Sequence, residues 1–243
     1  MSEIITEEIA NQFLQDADNV DLTKYTKIEN VAAELLSEFQ GMFLKLSGLT
    51  ELSDVAAESL SKSKASTLSL SGLTELSDTV ATSLSKYKGM ELTLWGLKEI
   101  SDAAAEALSN YQPNPEGTLE LGGLKKLSDA AAESLSKFKG SLNLYSLTEL
   151  SDAAAESLSK HQGSLRLDDV TELSDAAAES LSKHWGQLYL RGLTKVSETA
   201  AKSLSNREGK VSPSSANGGC LSLIVIGLTA SFLLGRAITA LVN

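Results

Sequence analysis

Residues 147–160 read LTELSDAAAESLSK, and the same line returns along the chain with few changes. It stands as LTELSDVAAESLSK from Leu49, LTELSDTVATSLSK from Leu73 and LKEISDAAAEALSN from Leu97. LKKLSDAAAESLSK follows from Leu124, VTELSDAAAESLSK from Val170 and LTKVSETAAKSLSN from Leu193. Successive starts lie 24, 24, 27, 23, 23 and 23 residues apart, and the long interval holds Pro113-Asn114-Pro115. An incomplete copy, KIENVAAELLSEF, begins at Lys27. A period of this length is the signature of a solenoid, in which each unit buries its apolar face only against its neighbours.

Ahead of every copy runs a short alternation: Phe43-Leu44-Lys45-Leu46, Thr67–Leu70, Glu91–Leu94, Thr118–Leu121, Ser141–Leu144, Ser164–Leu167 and Gln187–Leu190. Leucine at every second position is the period of a strand with one buried face. Copies about 23 residues apart can pair only in parallel, each with a returning crossover. The crossover is a helix. In Leu52-Ser53-Asp54-Val55-Ala56-Ala57-Glu58-Ser59-Leu60 the apolar residues fall at helical spacing. Ser53 is placed to cap it, and Asp54 sits at the positive end of the helix dipole. Glu58/Lys62, Glu133/Lys137, Glu156/Lys160 and Glu179/Lys183 are four apart in the favourable order, which marks a solvated outer face.

The frame L-x-L-x-x-L-x-x-L-S-D-x-A-A-x-x-L-S resembles a leucine-rich repeat. It is most similar to the cysteine-containing subtype found beside F-box domains, and its near-identical copies resemble low-divergence bacterial arrays. The resemblance spans roughly residues 21 to 205. It implies an α/β fold: a right-handed parallel β/α solenoid of about seven repeats of 23–27 residues, its strands lining a concave face. One departure is systematic. The position that carries a ladder Asn or Cys is held by Leu49, Leu73, Leu97, Leu124, Leu147, Val170 and Leu193, none of which can bond neighbouring backbone. Seven strands at about 4.8 Å give a sheet roughly 30 Å wide. Residues 1–40, with Ile28, Val31, Leu35, Leu36 and Phe39, read as a helical N-terminal cap and partial repeat. Residues 41–205 form the array.

The resemblance places a partner on the concave face, where the non-leucine positions of the strands point out. These form three columns, from Phe43, Lys45 and Ser47 in the first repeat to Gln187, Tyr189 and Arg191 in the last. They vary from copy to copy while the leucines do not. Aromatic residues and arginine are the types enriched in binding hot spots. The expected partner-binding residues are Phe43, Trp95, Tyr145, Arg166, Asp168, Tyr189 and Arg191.

The expected activity is binding, with no catalysis. His161 and His184 lie one repeat apart in a slot that also holds Ser63, Tyr87, Tyr111, Phe138 and Arg207, which reads as a structural edge position. No glycine-rich phosphate loop appears, and neither cofactor, metal nor small-molecule substrate is expected. A net charge of −11 without a basic stripe argues against nucleic acid as partner. The single cysteine, Cys220, leaves the fold without an internal disulfide. The start, MSEIITEEIANQF, lacks the basic and apolar regions of a secretory signal.

Composition changes after Ser205. Residues 206–219 (NREGKVSPSSANGG) read as a polar flexible linker. Residues 220–243 carry one charge, Arg236. As a helix, 221–242 would reach about 33 Å, enough for a bilayer core. Leu221, Ile224, Leu228, Phe232 and Leu234 are the expected anchor residues, and Gly227, Ser231 and Gly235 give a small-xxx-small pattern. The expectation is a membrane-associated protein with its repeats on the cytoplasmic side, holding a protein partner. The alternative is a soluble cytoplasmic spacer whose tail is an assembly contact.

Overall fold

The computed structural model describes residues 3–113 and 117–205. It is a parallel β/α solenoid. Seven short strands form one all-parallel sheet in chain order. They are β3 (Phe43–Lys45), β4 (Thr67–Ser69), β5 (Glu91–Thr93), β6 (Thr118–Glu120), β7 (Ser141–Asn143), β8 (Leu165–Arg166) and β9 (Leu188–Tyr189). The register sets leucine beside leucine: Leu44, Leu68, Leu92, Leu119, Leu142, Leu165 and Leu188 are successive partners. The ladder continues one residue further, with Leu46, Leu70, Leu94, Leu121, Leu144 and Leu167 donating to the next repeat at 2.8 to 3.0 Å.

Each strand is followed by a short helix: α3 (Asp54–Leu60), α4 (Asp78–Leu84), α5 (Asp102–Ser109), α6 (Asp129–Leu135), α7 (Asp152–Ser159), α8 (Asp175–Ser182) and α9 (Glu198–Ser205). Each packs on the next along the array. In α3 to α8, two consecutive Ala or Val-Ala residues per helix, such as Ala154 and Ala155, are buried together with the strand leucines in one continuous core. Small side chains there let helix and strand layers approach closely. Burying a leucine contributes roughly 1.5–3 kcal/mol, so the repeated leucines rather than the short helices hold the array.

The first and last serines of each copy close the helix ends. Ser151 Oγ accepts the N–H of Ala154 at 3.0 Å, and Ser159 Oγ donates to the Glu156 carbonyl at 2.7 Å. The first is the expected cap. It has a second contact that spacing alone does not reveal. Ser101 donates to Asp78 Oδ1, Ser128 to Asp102, Ser151 to Asp129, Ser174 to Asp152 and Ser197 to Asp175. Ser53 meets Asn30 in the same way at 2.7 Å, and Thr79 reaches Asp54 at 2.7 Å. Six of the caps thus tie their helix directly to the first turn of the preceding one, and Ser77 does so through Thr79. A polar ladder runs along the helix N-termini, in a repeat whose leucines cannot supply one beside the strands.

The N-terminal segment was expected as a helical cap and partial repeat. It holds two helices, α1 (Glu7–Gln15) and α2 (Asn30–Ser37), preceded by β1 (Ile4–Ile5) and β2 (Lys27–Ile28). These strands pair in parallel with Ile4 beside Lys27. The same short pairing at a helix entrance recurs where Glu172 bridges Lys195. Both helices therefore sit as repeat helices do, and Thr6 caps α1 as Ser53 caps α3. The leucine strand is replaced by a 3-10 turn, Leu22–Lys24. Asp21 accepts both the backbone N–H and the hydroxyl of Thr23, at 2.9 and 2.6 Å, which favours a turn over an extended chain. The sheet ends at β3. Leu36 is fully buried, whereas Val31 faces solvent.

The Ser63–His184 slot also departs from its reading as an edge. Tyr87, Tyr111, Phe138, His161 and His184 are at most 1% exposed. Their rings stack nearly parallel, with centroids 5.8 to 6.3 Å apart. The two tyrosines satisfy their hydroxyls on the carbonyls of Ala65 and Gly89, at 2.6 and 2.7 Å. An aromatic ring of any kind fills this interior column, which is why the sequence varies there.

Candidate functional site: the open strand face

The face of the sheet away from the leucines carries the three variable columns. Strand alternation aims Glu91, Thr93 and Trp95 outward from the third repeat, and parallel register sets the equivalent residues of the next repeat about 4.8 Å away. Side chains of successive repeats therefore meet laterally. The first two repeats contribute little. Phe43 is 50% exposed with the Lys45 ammonium 5.7 Å from its ring. Beyond them stand Thr67, Ser69 and Ser71, with the two serine hydroxyls 3.3 Å apart.

From the third repeat onward the side chains interlock. The Trp95 indole N–H donates to Glu120 Oε2 at 2.8 Å. Gly122 lies under that indole: a Cβ there would stand 3.3 Å from Nε1, so the missing side chain gives the ring its resting place. Asn143 Nδ2 donates to the same Glu120 oxygen, while its Oδ1 accepts the Tyr145 N–H at 3.0 Å. Burial pushes the Glu120 carboxyl up, the Trp95 and Asn143 hydrogen bonds and the Arg166 charge oppose this, and Glu91 adds to it.

The last three repeats form a tighter cluster. Arg166 donates through Nε to Asp168 Oδ2 at 3.0 Å, and its second nitrogen, Nη2, is also 3.0 Å from that oxygen. Arg191 Nε stands 3.6 Å from Asp168 Oδ1. The Arg166 guanidinium lies 5.8 Å from the Tyr145 ring and 5.5 Å from the Tyr189 ring, with Arg191 also 5.5 Å from Tyr189. Such contacts are favourable because the ring face is negative. The Tyr189 hydroxyl donates to Gln187 Oε1 at 2.7 Å. Two cations, two aromatic rings and one carboxylate hold one another in place.

No family model matches the chain, and no curated protein matches it.

Of the seven expected contact residues, five converge: Tyr145, Arg166, Asp168, Tyr189 and Arg191. Trp95 joins them through Glu120 and Asn143. Phe43 stands apart, at the far end of the sheet. The Asp168 side chain is 2% exposed beneath the two guanidiniums and fixes their place on the face. Glu120 and Asn143 were not among the expected site residues. Their signal was column order, since Glu120, Asn143, Arg166 and Tyr189 are consecutive in one column.

His161 lies in the interior column, away from this face. Burial holds its imidazole below the ordinary histidine value, with backbone groups of Ser136, Gly140 and Ser164 opposing. Among the described residues no group of three or more His, Cys, Asp or Glu side chains could hold a metal ion. None of the described helices is long and apolar enough to cross a membrane. The expected anchor residues Leu221, Ile224, Leu228, Phe232 and Leu234 lie outside the described residues.

Proposed function

We propose that this chain is a leucine-rich-repeat-type binding module that holds a protein partner on its open strand face and catalyses nothing. The observation that carries this reading is the preorganised row from Trp95 to Arg191. Large aromatic and arginine side chains, fixed before a partner arrives, lose little freedom on binding. On that row Trp95 and Tyr145 are 54% and 43% exposed. The leucine and alanine core closes without these side chains, whose contacts are with one another.

The sequence of residues 220–243 adds a membrane tether to the proposal, with the repeats on the cytoplasmic side. The competing reading is a structural spacer whose tail assembles copies. Replacing Trp95, Tyr145 and Tyr189 together with alanine separates the two. The binding module loses its partner, whereas the spacer assembles as before. Liposome flotation of the full chain against a chain ending at Ser205 tests the tether. The full chain alone should float and survive an alkaline wash; equal recovery in the soluble fraction removes the membrane from the proposal.

A further inference from the structure

We infer that the open strand face takes a dipolar polypeptide segment, with a basic side chain over Glu91 and Glu120 beside Trp95 and an acidic side chain over Arg166 and Arg191. The inference rests on the binding-module reading and adds the chemistry of the partner. Along the array the acids come before the bases, with Arg166 near enough to Glu120 for its charge to act on it. Glu91 and Glu120 stand in adjacent repeats, close enough for Glu91 to raise Glu120. The Trp95 ring lies beside them, bonded to Glu120. Two carboxylates next to an aromatic ring form a site for a cation. Arg166 stands two strands beyond Glu120, and it and Arg191 bring two guanidiniums to the single buried carboxylate of Asp168.

Distance sets the spacing in the partner. From β5 and β6 to β8 and β9 is three strand spacings, about 14 Å. An extended polypeptide covers that in about four residues at roughly 3.3 Å each. Tyr145 stands between the two charged ends, exposed, and gives an intervening apolar side chain a surface to rest on. A nucleic-acid strand would bring phosphates onto Glu91 and Glu120 as well as onto the arginines. A neutral glycan would leave both charged ends without partners. A segment with a base and an acid about four residues apart answers both ends and fixes its own direction along the array, from charge complementarity.

The test is selection of random twelve-residue peptides, displayed on phage, against the immobilised full chain, followed by titration of the enriched peptides. The expected pool pairs Lys or Arg with Asp or Glu three to five residues apart, in one order. Glu91→Gln and Arg191→Gln should each weaken those peptides on the order of five-fold. Both variants fold: glutamine keeps an acceptor for the Thr93 hydroxyl, and Arg166 still covers Asp168. Exchanging the acid and the base within a peptide should abolish binding. Peptides that need Trp95, Tyr145 and Tyr189 but ignore both charge variants overturn the dipolar inference and leave the binding face standing. Tighter binding of a single-stranded DNA 20-mer or of dextran to the same face also overturns it. Failure to enrich any peptide, or a pool indifferent to the triple alanine variant, contradicts the binding-module reading itself.

Discussion

Two rows of polar side chains run the length of this molecule. Along the helix N-termini, Ser and Asp return in repeat after repeat, and five successive pairs, from Ser101–Asp78 to Ser197–Asp175, make the same inter-repeat hydrogen bond. Along the open strand face, the middle column reads Lys45, Ser69, Thr93, Glu120, Asn143, Arg166, Tyr189, with no residue type occurring twice. Both rows obey the same register, so geometry does not explain the difference. A contact that joins every repeat to the next must be complementary to itself and is therefore copied. A surface that meets something other than its own neighbour has no such constraint. In this chain repetition marks what holds the fold, and its interruption marks what is available for recognition.

The largest expected effect comes where that division is least clean. Arg166 belongs to the variable face but covers a buried carboxylate. Arg166→Met should destabilise the array by about 3 kcal/mol, because Asp168 is then left buried with only Arg191 beside it. Urea unfolding measures this, and the double variant Arg166→Met/Asp168→Asn should recover most of the loss. A neutral result for the single variant would place Arg166 wholly on the recognition side.

A second effect concerns the interior ring column, which mixes both behaviours. The folded-state value of His161 is depressed below 6.5, so the unfolded chain binds its proton more readily. The stability it contributes is intact above pH 6.5 and falls as the pH drops below it, by at most about 1.4 kcal/mol per pH unit. Melting temperatures between pH 7.5 and 5 should decline more steeply for the natural chain than for His161→Phe, which copies the ring at Phe138. Identical slopes would remove His161 from the acid response.

The smallest expected effect tests the repeated row directly. Ser151→Ala removes the cap of α7 and its bond to Asp129, and should cost about 1 to 2 kcal/mol. In a double-mutant cycle with Asp129→Ala, part of that loss should appear as coupling between the two repeats. Strictly additive losses would reduce the ladder to a set of separate caps.

The solenoid was legible because two periods overlie one another: leucine at every second residue, and the Ser-Asp-Ala-Ala helix opening every 23 to 27 residues. Both are local patterns with one physical reading each. What escaped depends on which residues meet across repeats. Ser151 and Asp129 are 22 residues apart, and only the stacking register makes them partners. Alternation places Asp168 on the open face, yet it cannot tell that Arg166 and Arg191 close over it. The ring column looked permissive because Tyr, Phe and His differ in polarity; stacked in the interior, they are equivalent in shape. The 3-10 turn at Leu22–Lys24 lies ahead of the first leucine alternation, and the Asp21–Thr23 hydrogen bonds that shape it carry no periodic signal.

The most direct test of the account measures folding and binding on one protein. The Trp95→Ala/Tyr145→Ala/Tyr189→Ala chain is unfolded in urea and titrated with a peptide selected on the natural chain. The expected unfolding free energy lies within about 1 kcal/mol of the natural chain's, as surface substitutions usually cost little, with peptide binding lost. A variant that unfolds readily, or one that keeps the peptide's affinity, would contradict the division between a repeated frame that holds and a varied face that binds.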